Sequence, residues 1–269
     1  MKHACELLGY TTGAYYKALS KQSKQAFQTD ILLDLIKQKR KIWKKGSGRN
    51  LLQSLQNDLK KHNIKIGRDR FFAFLKTHGL LIKRRKLKPL VTNNRHRFYK
   101  YPNLIKEMEV RAINQLWVSD MTYIYITSLQ KYAYLFLITD VFNREIIGYC
   151  LSLSPTGAAA IKALKQAFKN RGITKPCPSL YHHSDRGVQY CYHQYTQLLD
   201  QCKIQISMAA KGDPRENAIA ERVNGIIKGE FTEGRTLTFT TFKQGGQELK
   251  KSIGFYNCLL YTSPSPRDS

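Results

Sequence analysis

The chain has 269 residues, 42% of them apolar, which allows one large domain or two ordinary ones and excludes disorder of the whole. No apolar run is long enough to span a bilayer, and the opening Met1-Lys2-His3-Ala4-Cys5-Glu6 lacks the apolar stretch of a secretory signal. The net charge is +26 and uneven: residues 1–100 carry 25 Lys+Arg against 5 Asp+Glu, whereas residues 101–269 carry 20 against 14. Such concentrated positive charge repels itself unless a polyanion offsets it, so a nucleic-acid grip joined to a nearly balanced second region is expected. The six cysteines form no CxxC pair and no zinc-like spacing, and read as free thiols of a reducing cytoplasm.

Residues 1–82 read as an all-α helix-turn-helix region. Glu6–Lys17 suggests a helix, a Gly-containing turn and a second helix, and Thr29 or Asp30 is a candidate cap for a helix carrying Ile31, Leu32, Leu35 and Ile36. Gly48-Arg49-Asn50 opens Leu51, Leu52, Leu55 and Leu59 at helical spacing. A turn at Ile64–Gly67 then leads into Phe71, Phe72, Phe74 and Leu75, stopped by Gly79. The order helix, short turn, basic helix predicts a recognition helix over 67–78 with Arg68, Arg70 and Lys76 facing DNA. An amphipathic bundle with a charged outer face has the same spacing. Residues 83–112 read as a basic linker, whose Lys83, Arg84, Arg85 and Lys86 lie along phosphates without reading sequence.

From residue 113 the texture changes. Trp117–Thr127, Lys131–Val141 and Glu145–Leu153 alternate like three strands of a meander. Thr156–Arg171 follows as a helix, Pro178–His183 as a strand, His193–Gln201 as a helix, Ile204–Ser207 as a strand, and a long helix starts at Pro214 and runs to about Phe231. The order βββ-α-β-α-β-α predicts a mixed five-stranded α/β layer fold over 113–257.

Three carboxylates stand out. Asp120 lies within an apolar strand, which is costly unless a cation neutralises it. Asp185 follows a strand in His183-Ser184-Asp185-Arg186-Gly187-Val188-Gln189-Tyr190, where an Asx-turn is the plainer reading. Glu221 comes 35 residues further on, on the helix from Pro214, where Asn217, Glu221, Asn224 and Lys228 recur on one face and Ile219, Val223, Ile226 and Ile227 on the other. A salt-bridged surface helix has that pattern too. Asp140 reads as structural and Glu230 as a surface residue. His182 and His183, being adjacent on a strand, point to opposite faces and do not form a ligand pair.

The segments Trp117-Val118-Ser119-Asp120-Met121-Thr122-Tyr123, His183–Tyr190 and Gly212-Asp213-Pro214 … Asn217-Ala218 … Glu221 … Lys228-Gly229-Glu230 resemble those of insertion-sequence transposases. The branch is the IS-three family, second-frame protein, of the DDE superfamily that includes retroviral integrases. The resemblance spans roughly residues 5–257. It implies a ribonuclease H-like integrase core in which Asp120, Asp185 and Glu221 are catalytic and hold two Mg²⁺ ions, with Mn²⁺ as a substitute. It also implies DNA contacts by Lys228, with Gln189, Tyr190 and Asn217 positioning DNA or the acid loops. The implied substrate is double-stranded DNA, the element's terminal inverted repeats and a target. The implied reaction is hydrolysis followed by strand transfer by a homo-oligomer at the bacterial nucleoid, with an upstream-frame product as a further partner. A catalytically inactive or truncated DNA-binding protein and a ribonuclease H-type nuclease are the alternatives. After Asn257 the family's Arg-Pro-His is replaced. Residues 258–269 resemble translated sequencing adapter, so a core truncated at its C-terminal end and a non-native tail are expected; a Ser/Pro-rich disordered tail is the alternative.

Overall fold

The computed structural model describes residues 11–82, 97–209, 218–231 and 238–262. They belong to two compact units, one of residues up to Lys41 with Gly46–Ile82, the other of Ile42–Lys45 with Lys83 onward. The expected linker residues Lys83, Arg84, Arg85 and Lys86 lie outside the described residues, as do Asn217 and the loop before it.

The first unit is helical: α1 (Thr12–Ile42), α2 (Gly48–Lys61) and α3 (Arg68–Thr77). The Thr11 hydroxyl accepts the Ala14 N–H at 3.1 Å, so the cap is at Thr11 and Gly13 falls inside the first turn. The separate helix expected to start at Thr29 or Asp30 does not exist, because both residues lie inside the continuous α1. Its Leu32 and Ile36 pack with Leu51, Leu55 and Leu59 of α2 and Phe71 and Leu75 of α3. Ser47 caps α2 by accepting the Asn50 N–H at 3.2 Å. The link from α2 to α3 turns at Asn63, whose φ of 55° is left-handed. Arg68, Arg70 and Lys76 are exposed on α3, whereas its Phe71 and Leu75 are buried.

The second unit is a mixed sheet between helices. Its strands are β1 (Leu116–Ile126), β2 (Lys131–Asp140), β3 (Ile146–Ser152), β4 (Tyr181–Ser184), β5 (Gln205–Met208) and β6 (Thr238–Phe239). Its helices are α4 (Gly157–Arg171), α5 (His193–Gln201), α6 (Ala218–Glu230) and α7 (Phe242–Thr262). The strand order is β3-β2-β1-β4-β5, with β1–β2 and β2–β3 antiparallel and β1–β4 and β4–β5 parallel. This is the ribonuclease H-like mixed five-stranded sheet, with the addition of β6, a two-residue strand that pairs with β1. The pattern of β6 was too short to register as alternation. The last helix, α7, was also not anticipated; it runs through Thr262, past the expected end of the core at 257.

The sheet is covered on both faces because its strands alternate. Trp117, Phe136 and Ile138 face α4 and α5, whose Ala160, Ala163, Leu164, Tyr195 and Leu199 complete that core. Ile124, Ile126, Leu135 and Leu137 face α6 and α7, against Val223, Ile227, Leu249 and Ile253. At Gly148 on β3 a Cβ would collide with the Ala163 carbonyl and crowd Ala167, so α4 approaches the sheet only because that residue is glycine.

Asp140 is fully buried at the end of β2. Its carboxylate accepts the Asn114 N–H at 2.8 Å and the Phe142 N–H at 3.0 Å, and stands 3.7 Å from the Arg171 guanidinium. Arg171 also pairs with Glu145 at 2.7 Å, so the acid staples the β2–β3 turn to α4. Truncation in Asp140→Ala takes this acceptor from the Asn114 and Phe142 N–H groups and leaves Arg171 with Glu145 as its carboxylate partner, and urea unfolding should show a loss of about 3 kcal/mol. Gly148→Ala should cost about 2 kcal/mol in the same measurement, through displacement of α4.

Candidate active site

The site begins with the pairing of β1 and β4. They run parallel with Ser119 opposite Ser184, so the next residues, Asp120 within β1 and Asp185 just past the end of β4, stand side by side. Strand alternation turns Asp120 to the same face as Ile124 and Ile126, the face covered by α6. Asp185 lies one residue beyond β4, where its carboxylate accepts the Gly187 N–H at 3.0 Å. That bond is the Asx-turn of the plainer reading, and it leaves Asp185 beside Asp120. A Cβ on Gly187 would collide with the Gln189 side-chain amide and touch the Asp185 carboxylate, so a side chain there would have to displace Gln189 from the turn.

The helix α6 lies across the same face. Its buried residues are Ala220, Val223, Asn224 and Ile227, so Asn224 belongs to the sheet-facing side and not to a solvated stripe. The Asn224 amide donates to Asp120 Oδ2 at 2.6 Å, and the Met121 N–H donates to Oδ1 at 2.8 Å. Glu221 is exposed three residues before Asn224, about 4.5 Å along the helix axis. Lys228 follows Asn224 by four residues and is half-buried. Burial lowers its pKa, and the charge of Asp120 partly restores it. Glu221, Asn224 and Lys228 thus form a row running past Asp120.

The electrostatics follow from this crowding. Burial pushes the Asp120 carboxyl up to about 7, and the negative charges of Asp185 and, less strongly, Glu221 add to it against the two hydrogen bonds. Among the described residues, no three His, Cys, Asp or Glu side chains converge closely enough to hold one metal ion. The donor set nonetheless fits a hard divalent cation: it is all carboxylate oxygen, and its members repel one another in a way that a cation would relieve. Asp120 and Asp185 are the adjacent pair, with Glu221 available from the facing helix.

Behind the acids, on the other face of the sheet, stands a neutral polar network. His182 Nε2 is 2.7 Å from the Ser119 hydroxyl and 2.9 Å from the Tyr195 hydroxyl. Burial lowers the His182 pKa to about 3, with His183 adding to the effect, so the imidazole is uncharged. His183 Nδ1 meets the Ser207 hydroxyl at 2.9 Å on the opposite face. Gln189 and Tyr190, expected to position DNA or the acid loops, are buried, at 5% and 2% exposure. Tyr190 packs edge-on against Tyr195, and burial together with Asp185 and Asp120 raises its pKa well above the usual phenol value. Both side chains are thus covered here, with Gln189 lying against the Asp185–Gly187 turn.

Asn224 lay on the correct helical row but was not singled out. Its spacing of three from Glu221 was the available signal, since such pairs share a helix face.

The family of the integrase core domain matches residues 111–214, which include β1, β4 and both aspartates. The insertion element IS600 uncharacterized 31 kDa protein of Shigella sonnei is 32% identical over 228 residues, covering 84% of this chain and 81% of that one. The transposase for insertion sequence element IS904 of Lactococcus lactis is 30% identical over 235 residues, covering 87% and 89%. Among solved structures, the HTLV-2 integrase catalytic core domain in complex with magnesium aligns at 22% identity, with a TM-score of 0.34, over 43% of this chain and 68% of that one. The two insertion-element relatives, 32% and 30% identical over more than four fifths of both sequences, extend well beyond a shared core, and this chain belongs to the insertion-sequence transposases of the DDE and integrase superfamily, enzymes that transfer polynucleotides.

Proposed function

We propose that this transposase binds the terminal inverted repeats of its element and carries out Mg²⁺-dependent hydrolysis and strand transfer on DNA, with Asp120, Asp185 and Glu221 as metal ligands. The observation that carries the reading is the convergence of Asp120 and Asp185 from paired parallel strands beneath the helix that bears Glu221. When bound there, two magnesium ions supply Lewis-acid stabilisation of the phosphodiester and an activated oxygen nucleophile. The Asn224 amide holds Asp120 in one rotamer, and the Asp185–Gly187 turn holds Asp185. Lys228, half-buried on the same row, presents a cation to a DNA phosphate. Water cleaves the bond at an element end and leaves a free 3′-hydroxyl. That hydroxyl attacks a target phosphodiester, displacing one 3′-oxygen as the new bond forms. No covalent protein intermediate is needed.

Exposed Arg68, Arg70 and Lys76 on α3, after a short turn from α2, support binding of the repeats by the helical unit. The net charge of +26 supports a polyanionic partner. A homo-oligomer on DNA at the bacterial nucleoid, with or without the upstream-frame product, completes the proposal. No helix among the described residues is long and apolar enough to cross a membrane.

Purified protein with Mg²⁺ should cleave and join DNA carrying the element's ends, and Asp185→Asn should lower the rate at least about 100-fold; equal activity of that variant refutes the assignment. Arg70→Ala should weaken binding of the ends about tenfold and flatten the dependence of affinity on salt, measured by fluorescence anisotropy. The raised pKa of Asp120 sets the sign of a pH effect. Its unfolded value lies near 4 and its folded value near 7, so the metal-free fold binds the extra proton between them and loses stability as pH rises through that window. Asp120→Asn should therefore be more stable than the wild type by about 2 kcal/mol at pH 8 and equal to it near pH 4, by chemical denaturation. Protons should likewise compete with magnesium, weakening its binding about tenfold per pH unit below about 7 in calorimetric titration.

A further inference from the structure

Residues Ile42–Lys45 run from the last residue of α1 into the link to α2, yet they belong to the compact unit that contains the acids. Trp43 is their anchor, 2% exposed in the core formed with Ile227, Phe231, Leu249 and Ile253. Its ring stacks on Phe231 at 6.1 Å with planes 19° apart, and is tilted against Phe255 of α7 at 5.7 Å. The indole N–H donates to Glu230 Oε2 at 2.7 Å, and the Lys45 backbone N–H donates to the Glu230 carbonyl at 2.6 Å. The final residue of α6 is thus held at both its side chain and its backbone, and the residue after it lies beneath the indole.

We propose that Trp43 is a positioning residue for the active site: through Glu230 it sets where α6 lies along its axis, and so where Glu221 and Asn224 stand over Asp120. A helix transmits such a constraint because its backbone ladder makes it stiff along its axis. Glu221 and Glu230 are nine residues apart on one uninterrupted helix, α6. Apolar packing alone would leave α6 free to slide by fractions of an ångström over the sheet, and the Asn224–Asp120 hydrogen bond restrains it at a single point near its middle. A charge-assisted hydrogen bond to a fully packed indole removes that freedom. A polar end fastened this way also explains why an acid stands at Glu230 against an aromatic cluster, where the sequence suggested only a surface residue. The catalytic unit is then incomplete without four residues that precede it by some 70 positions. This inference rests on the proposed role of Glu221.

The test uses the full chain and the variants Trp43→Phe, Glu230→Ala and Glu230→Gln. Phenylalanine keeps an aromatic ring but loses the donor; alanine removes the acceptor; glutamine keeps an acceptor of the same length. Amide hydrogen exchange followed by mass spectrometry should quicken about tenfold in peptides from 218–230 for Trp43→Phe and Glu230→Ala, stay unchanged in β1–β3, and return close to wild type in Glu230→Gln. Strand-transfer kcat should fall in the same two variants by a similar factor, with KM for end DNA unchanged. Unchanged exchange in 218–230 overturns the proposal, and so does exchange that quickens uniformly across the sheet, which would mark a purely structural role. The exchange readout does not depend on activity. A wild type that fails to cut DNA while α6 still loosens in these variants would count against the transposase mechanism and not against the anchoring of the helix.

Discussion

Everything at this site depends on one constraint, the parallel register of β1 and β4. With Ser119 opposite Ser184, the backbone delivers two carboxylates from adjacent strands to one spot at the edge of the core. Two negative charges at neighbouring-strand spacing are an unfavourable arrangement, and a fold tolerates it only when surrounding structure over-determines it. Here ten paired residues of β1 and β2, the buried network of Ser119, His182 and Tyr195, and the Asp185–Gly187 turn do so. The strain emerges as a carboxyl at Asp120 that holds its proton to about 7, chiefly because it is buried and further because Asp185 stands beside it, a cost that a divalent cation would relieve.

The second element of the design is α6, which serves two masters. Val223 and Ile227 belong to the apolar core, while Asn224, between them on the buried side, reaches Asp120. One helix therefore contributes packing, an acid, an amide and a lysine, and their relative positions are set by helical geometry alone. What helical geometry leaves open is the placement of the whole helix on the sheet. Its hydrophobic contacts favour proximity without fixing an axial position, whereas the hydrogen bonds at Asn224 and Glu230 are directional.

Much of this was legible from residue order. Alternation in Trp117–Thr127 marked β1, and the Ala-rich run with Leu164 and Phe168 marked α4, because both elements bury a face and must repeat with the period of that face. Asp120 and Asp185 were legible as anomalies, one an acid in an apolar strand, the other at a strand end. The front of the chain was read less well. Thr29 and Asp30 have the chemistry of caps yet sit within α1, since propensity at one residue yields to a helix already propagating through it. Tyr190 and Gln189 belong to a polar motif and still point inward, because the turn at Gly187 sends the chain back beneath the sheet.

The sequence by itself determined the mixed α/β character, the row of Glu221, Asn224 and Lys228 on one helix, and the basic bias of the first hundred residues, all of which depend on neighbours within a few turns of chain. Only the tertiary structure decided that Asp120 and Asp185 are adjacent, that Asn224 binds Asp120, and that Trp43 and Glu230 meet across 187 positions. Those contacts depend on which distant strands pair and on how helices lie across the sheet, as where β1 meets β4 about 65 residues away, and the alternation within one strand fixes which face a residue takes but not which strand lies beside it.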